Sequence, residues 1–263
     1  MPEFPIESLD DARLDPYRDL RHVGSRMRKT FIAEGEKLVL RLLNSPCQTE
    51  SIVCTEAMRD RLHDCFTPQV PVYVTSTPVI SQLIGFQFHR GILACGLRPA
   101  QQSLESLLAG NAVARPLLVV ICPEIRDPVN LGTIIRTAAA FGAVCLVAGL
   151  AGTEPFSRRV LRTSMGTVLQ LPIVQTDAWP GVFESLHRHE FDTIATVIDP
   201  AAELLSTAPR TARVALLLGN EDTGLPGELC DLCRHRVRVP MARGVDSLNV
   251  AVAAGIIMHH FVT

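Results

Sequence analysis

Lysine is nearly absent from this 263-residue sequence: Lys29 and Lys37 stand alone, and arginine supplies the other 23 of its 25 basic residues. With 27 acidic residues the formal net charge is -2, which excludes a uniformly cationic surface and confines any polyanion partner to local patches. No apolar run is long enough for a bilayer, because the stretches around Phe141 to Leu150 and Val250 to Met258 are short and broken by glycine. A disulfide framework is also missing. The eight cysteines lie in a chain too large to need staples, within apolar runs such as Val119-Val120-Ile121-Cys122 and Val144-Cys145-Leu146, a pattern of reduced, buried thiols. The first residues carry Glu3, Glu7, Asp10 and Asp11 and lack the charge and apolar run of a signal or transit peptide. A cytoplasmic protein without a membrane partner is expected. Internal repeats and low-complexity tracts are absent too, and 47% hydrophobic composition excludes general disorder.

What is present is an alternation. From Ala114 onward, short apolar runs at Leu117 to Ile121, Val144 to Ala148, Pro172 to Gln175, Thr193 to Ile198, Val214 to Leu218 and Val237 to Val239 are separated by amphipathic stretches. Such runs predict a mostly parallel α/β sheet covered on both faces. A last helix is predicted over Leu248 to Phe261, apolar around most of its circumference and therefore packed in a core or against a second subunit. A smaller α/β domain precedes this, with strands at Phe31 to Ala33, Ile52 to Cys54, Val70 to Thr75 and Ile92 to Cys95 and helices at Glu36 to Leu43 and Pro78 to Ile84. The expected boundaries are a domain over 1–99, a linker over 100–113 and a larger domain over 114–263.

Three segments concentrate polar residues beside strand ends. In the first, Arg126-Asp127-Pro128-Val129-Asn130-Leu131-Gly132, Asn130 is placed to cap a helix whose core stripe is Leu131, Ile134, Ile135, Ala138 and Phe141. Arg136 then falls on the opposite face with Thr133 and Thr137. The second, Leu218-Gly219-Asn220-Glu221-Asp222-Thr223-Gly224, has glycines where backbone can turn sharply or approach a ligand. The third, Val239 to Val250, leads from the last strand into the last helix and brings Ser247 and Asn249, with Ser247 a candidate cap. Loops at the carboxyl ends of strands are where open α/β sheets bind ligands.

Together the three segments resemble, in order and spacing, the signature motifs of the SpoU-type (TrmH-like) RNA 2′-O-ribose methyltransferases of the SPOUT class. Arg162-Thr163-Ser164-Met165-Gly166 resembles an intermediate family motif. Phe31 to Val39 and His89-Arg90-Gly91-Ile92 are similar to the family's amino-terminal substrate-binding domain, itself similar to ribosomal protein L30e. Two departures stand beside the motifs: Asp222 where many members have glycine, and Ala251 where many have serine.

The resemblance implies a deep trefoil knot in the carboxyl-terminal domain, S-adenosyl-L-methionine as cofactor and a homodimer. It implies a catalytic set of Arg136, Asn130, Glu221, Ser247 and Asn249. It also implies cofactor contacts at Thr196, Leu218, Gly219, Asn220, Val239, Pro240, Met241 and Leu248. The RNA would meet Arg18, Arg21, Arg26, Arg28 and Lys29 in the first domain and Arg158, Arg159 and Arg162 in the second. Aromatics are only 5% of the chain, so phosphate contacts would outweigh base stacking. The amino-terminal domain favours ribosomal RNA over transfer RNA. The alternatives are a transfer-RNA 2′-O-methyltransferase and a catalytically silent RNA-binding scaffold. No metal is expected, since Cys230, Cys233 and His235 lack a fourth ligand at useful spacing. Gly149-Leu150-Ala151-Gly152 is too loose for a dinucleotide fingerprint, which disfavours a Rossmann enzyme.

Overall fold

The computed structural model describes residues 2–6, 8–18, 20, 29–110, 117–242 and 244–262. They form two compact units. One comprises Met1–Ala100 together with Phe156–Gln170, the other Gln101–Pro155 with Leu171–Thr263. Sequence alternation alone leaves Phe156–Gln170 inside the larger domain. The segment instead clusters with the amino-terminal unit because its side chains find their partners there, as the Arg158 ion pair below illustrates.

The first unit is built on β1 (Glu3–Pro5), β2 (Thr30–Glu34), α1 (Glu36–Leu43), β3 (Thr49–Cys54), α2 (Glu56–Leu62), β4 (Val72–Val74), α3 (Thr77–Ile84) and β5 (Ile92–Leu97). Its sheet runs β1-β4-β3-β5-β2, parallel from β1 to β3 and antiparallel from β3 to β2. The strand β1 and helix α2 escape sequence reading. At three residues with a proline, β1 carries too little pattern, and Pro5 is tolerated because β1 lies at the sheet edge. The ladder between β3 and β5 is irregular between Thr49 and Ser51. Tyr17, fully buried, repairs the fault: its hydroxyl donates to the Ser51 carbonyl at 2.9 Å and accepts from the Cys95 N–H at 3.1 Å. Two buried main-chain groups are thereby satisfied by one side chain.

The second unit contains α4 (Leu104–Ala109), β6 (Leu117–Cys122), α5 (Pro128–Ala140), β7 (Cys145–Ala148), β8 (Ile173–Gln175), α7 (Trp179–Arg188), β9 (Asp192–Thr196), β10 (Glu203–Leu204), β11 (Arg213–Leu217), α8 (Gly227–Asp231), β12 (His235–Arg238) and α9 (Val250–Val262); α6 (Arg158–Thr163) belongs to the first. All seven strands are parallel, in the order β10-β12-β9-β11-β6-β7-β8, so the parallel α/β sheet expected from the apolar runs is present. Every residue of β6 is buried. Alternate side chains Leu117, Val119 and Ile121 pack with Leu104 and Leu108 of α4, Val182, Phe183 and Leu186 of α7, and Leu229 of α8. Each such fully buried aliphatic group contributes roughly 1.5–3 kcal/mol. The helix α4 is therefore core of this unit rather than tether, although it falls in the stretch read as linker; residues 111–116 lie outside the described ones.

Two helix starts differ from expectation. Asp127, not Asn130, caps α5, its carboxylate accepting from the Val129 N–H at 2.8 Å with Pro128 at the first helical position. Asn249, not Ser247, caps α9, accepting from Ala251 and Val252 at 2.9 and 3.3 Å, so the helix begins at Val250. The Tyr17 contact yields a test of the first unit. Tyr17→Phe leaves the Cys95 N–H and Ser51 carbonyl short of a partner and should lower unfolding free energy by about 1–3 kcal/mol in urea. An unchanged midpoint would mean that water or a ladder shift replaces the hydroxyl.

Candidate active site at the carboxyl ends of the parallel strands

Because β6, β9, β11 and β12 are parallel neighbours, the loops that follow them emerge on one edge of the sheet. These loops carry the three polar segments. The turn after β11 is closed on itself. Asn220 and Gly224 exchange main-chain hydrogen bonds at 2.9 and 3.0 Å, and the Asn220 side chain accepts from Asp222 and Thr223 while donating to the Glu124 carbonyl at 2.9 Å. Gly219 is demanded here, since a Cβ would stand 2.7 Å from the Gly224 carbonyl carbon and 2.8 Å from the Leu225 nitrogen. The closed turn aims Glu221 at the loop after β6.

There the Glu221 carboxylate accepts three bonds: from the main-chain N–H groups of Arg126 and Asp127, each at 3.2 Å, and from the Asn130 amide at 3.0 Å. Asn130 is buried in the first turn of α5, and with Asp127 doing the capping its amide is free to bridge. Its oxygen accepts from the Asn249 amide at 2.9 Å. One chain of hydrogen bonds, Glu221 to Asn130 to Asn249, thus ties all three segments together. Burial pushes the Glu221 carboxyl up, but the Asn130 amide and the main-chain donors outweigh it and hold the group below the ordinary carboxylate range. A stably ionised carboxylate beside a helix start is also favoured by the helix dipole.

Of the five residues expected to be catalytic, these three converge. Ser247 is exposed and makes no hydrogen bond among the described residues. Arg136 is exposed on α5 with no ion pair or hydrogen bond among them. Six residues beyond Asn130, it lies about 9 Å along the helix and roughly 120° around it, so it does not join Glu221 within one chain. Asp127 is the residue that sequence reading misses, although Asp-Pro ahead of an apolar stripe is a helix-start signal.

The loops after β9, β11 and β12 offer a second arrangement. Leu218 is buried and bonded through its N–H to the Ile121 carbonyl, and the Thr196 hydroxyl is held by the Leu217 carbonyl at 2.7 Å. Val239, Met241 and Leu248 are half-buried, Asn220 is buried and Pro240 is exposed. Ile198 is 68% and Val245 53% exposed, unusual for large aliphatic groups in loops at a ligand-binding edge. Exposed apolar side chains of this kind suit contact with the flat face of an aromatic ligand. Among the described residues, no group of three or more His, Cys, Asp or Glu could hold a metal. All eight cysteines are unpaired, and burial pushes the Cys233 thiol up to about 12.

The expected polyanion contacts divide. Arg158 turns inward, its guanidinium on the Glu34 carboxylate at 2.6 Å and on the Leu20 carbonyl at 2.9 Å. Arg18 is bound to Asp15 at 2.8 Å and to the Leu9 carbonyl. Arg159, Arg162 and Lys29 are exposed. Arg21, Arg26 and Arg28 lie outside the described residues.

Comparison with known proteins adds an independent line. A model of the SpoU rRNA Methylase family matches residues 117–259. The chain is 34% identical over 256 residues to an uncharacterised tRNA/rRNA methyltransferase of Mycobacterium tuberculosis, covering 94% of this chain and 87% of that one. It is 28% identical over 256 residues to the 23S rRNA (guanosine(2553)-2′-O)-methyltransferase RlmP of Bacillus subtilis, covering 97% and 98%. Among solved structures, the AdoMet-bound rRNA methyltransferase from Sinorhizobium meliloti matches with a TM-score of 0.82 at 27% identity, over 98% of this chain and 97% of that one.

The lowered Glu221 pKa generates a pH prediction. A carboxyl depressed in the folded state adds stability that is complete above the ordinary glutamate value of 4.5 and is lost as pH falls through the folded value. Glu221→Gln should therefore be less stable than the wild type at pH 7, with the gap closing below about pH 4.5 in urea titrations. A gap independent of pH would remove the ionised carboxylate from the account.

Proposed function

Because the chain belongs to the SpoU rRNA methylase family, we propose that it methylates a ribose 2′-hydroxyl in ribosomal RNA with S-adenosyl-L-methionine as methyl donor. The observation that carries this reading is the Glu221–Asn130–Asn249 chain of hydrogen bonds at the sheet edge. Such a fixed polar cluster fits a reaction in which the protein orients groups and stabilises charge. A binding scaffold has no use for it.

The donor supplies a methyl group activated by a sulfonium, so the hard chemistry is its own. What the chain supplies is position and electrostatics. The loops after β9, β11 and β12, with Thr196, Leu218, Gly219, Asn220, Val239, Pro240, Met241 and Leu248, would hold the donor through main-chain groups and apolar contact; Ile198 and Val245 join that set. A guanidinium stays charged at any working pH and is a poor base. Arg136 therefore serves as an electrostatic stabiliser, gripping an RNA phosphate beside the target and favouring alkoxide character on the 2′-oxygen.

The outward face of Arg136 supports a homodimer in which the guanidinium of one protomer completes the site of its partner. The sheet order, with β11 entering between β9 and β6, supports the knotted threading of the family. The first unit is read as the L30e-like RNA-binding domain. The unpaired cysteines, and the lack of any described helix long and apolar enough to cross a membrane, support a cytoplasmic location.

Arg136→Ala should lower turnover by at least about 100-fold while leaving donor affinity intact. Mixing Arg136→Ala with Asn249→Ala protomers should restore part of the activity that each variant lacks. Wild-type turnover in Arg136→Ala would dismiss its role, and no recovery on mixing would place it in its own protomer's site.

A further inference from the structure

Within the first unit a cavity of about 380 Å³ opens between β2, the start of α1 and α6. Its wall includes Glu34, Gly35, Glu36, Lys37, Arg90 and Arg162. Glu34 is only 5% exposed, and a buried carboxylate needs partners. Arg158 satisfies it directly at 2.6 Å. Two further guanidiniums are drawn towards the same carboxylate yet stop at 3.8 Å, those of Arg90 and Arg162, beyond hydrogen-bond reach. Arg90 also donates one long bond to the Glu34 main-chain carbonyl at 3.4 Å, and the remaining donors of both guanidiniums face the cavity side, where both side chains are partly exposed. Lys37, one of two lysines in the chain, adds a third cation, while Glu36, on the same wall, is paired with Arg61 at 3.1 Å. The cavity thus carries an excess of positive charge gathered around one buried negative group.

The main chain matches this charge. Gly35, at φ +90°, precedes α1 and offers no capping side chain; its carbonyl accepts from Leu38 and Val39, which leaves the N–H groups of Glu36 and Lys37 without an intrahelical acceptor. A Cβ on Gly35 would come within 2.9 Å of the Arg90 Cδ, so glycine is also what lets Arg90 lie across the mouth.

We propose that this cavity is a phosphate-binding subsite for the RNA backbone, with Arg90, Arg162 and Lys37 as the contacting groups and Glu34 as the positioning residue that holds the arginines in place. The inference rests on the RNA-methyltransferase reading for its polyanion. It assigns to Arg90 and Lys37 a contact that charge clustering in the sequence does not reveal, because they are far apart in the chain and neither lies in a basic run. It also changes the role of Arg158 from a phosphate contact to a strut beneath one.

The test measures binding of deproteinised 23S rRNA by filter retention across a salt series, without methyl donor, so that it reads independently of catalysis. Arg90→Gln and Lys37→Gln should each reduce the slope of log affinity against log salt by roughly 0.7–0.9, the signature of one lost phosphate contact. Arg90→Lys should restore the slope. In the methylation assay Arg90→Gln should raise KM for RNA about tenfold and leave kcat and donor affinity unchanged. Glu34→Gln should show the same KM effect, and if it fails to fold the exposed variants still decide the matter. Slopes equal to the wild type would overturn the proposal. So would an unchanged slope with thermal stabilisation by inorganic phosphate that Arg90→Gln abolishes, because that result assigns the cavity to a free anion. The expected slope changes in the variants, together with a wild type that methylates nothing, would refute the enzyme reading and leave this subsite standing.

Discussion

A single carboxylate organises the sheet edge on which the proposed chemistry depends. Glu221 has three donors to satisfy its charge, two from the main chain at the start of α5 and one from Asn130. Its position is set from behind by a turn so tight that Gly219 cannot be replaced without moving backbone. Asn130 passes the constraint on to Asn249, and Asn249 caps α9. A loop, a helix start and a second helix start thus share one network, and networks of this kind resist partial disruption. Removing Glu221 or Asn249 takes a partner from the buried Asn130 amide, so the two exposed members are tied to a buried one.

Parallel strands make this geometry available. In the second unit all seven strands point the same way, so every loop from a carboxyl end arrives on one edge, however distant in sequence. Asn130 and Asn249 are separated by 119 positions and meet at 2.9 Å. The apolar strand runs place the edge; the polar loop residues give it a chemistry. Arg136 stands apart from this cluster because α5 turns it to the outer face, where a phosphate or a second protomer can reach it.

The strands of the larger sheet are legible because each is a short apolar run buried on both faces, and β6 is the clearest instance. The outward face of Arg136 is legible from the spacing of Leu131, Ile134, Ile135 and Ala138. Asn130 is harder, since Asn is a good cap and only competition from Asp127-Pro128 frees it for another task. Ser247 and Asn249 pose the same problem two residues apart; Asn249 caps through its oxygen and still has its amide nitrogen for Asn130. Least legible is the placement of Phe156–Gln170 with the first unit. That grouping includes an ion pair between Glu34 and Arg158, 124 positions apart, which no local pattern encodes.

The most direct measurement is the chemical position of the transferred methyl group. Ribosomal RNA incubated with the protein and S-adenosyl-L-methionine, digested to nucleosides and resolved by mass spectrometry, should carry new mass on the ribose fragment and an unmodified base. New mass on the base fragment, or none on any ribosomal RNA, would contradict the account.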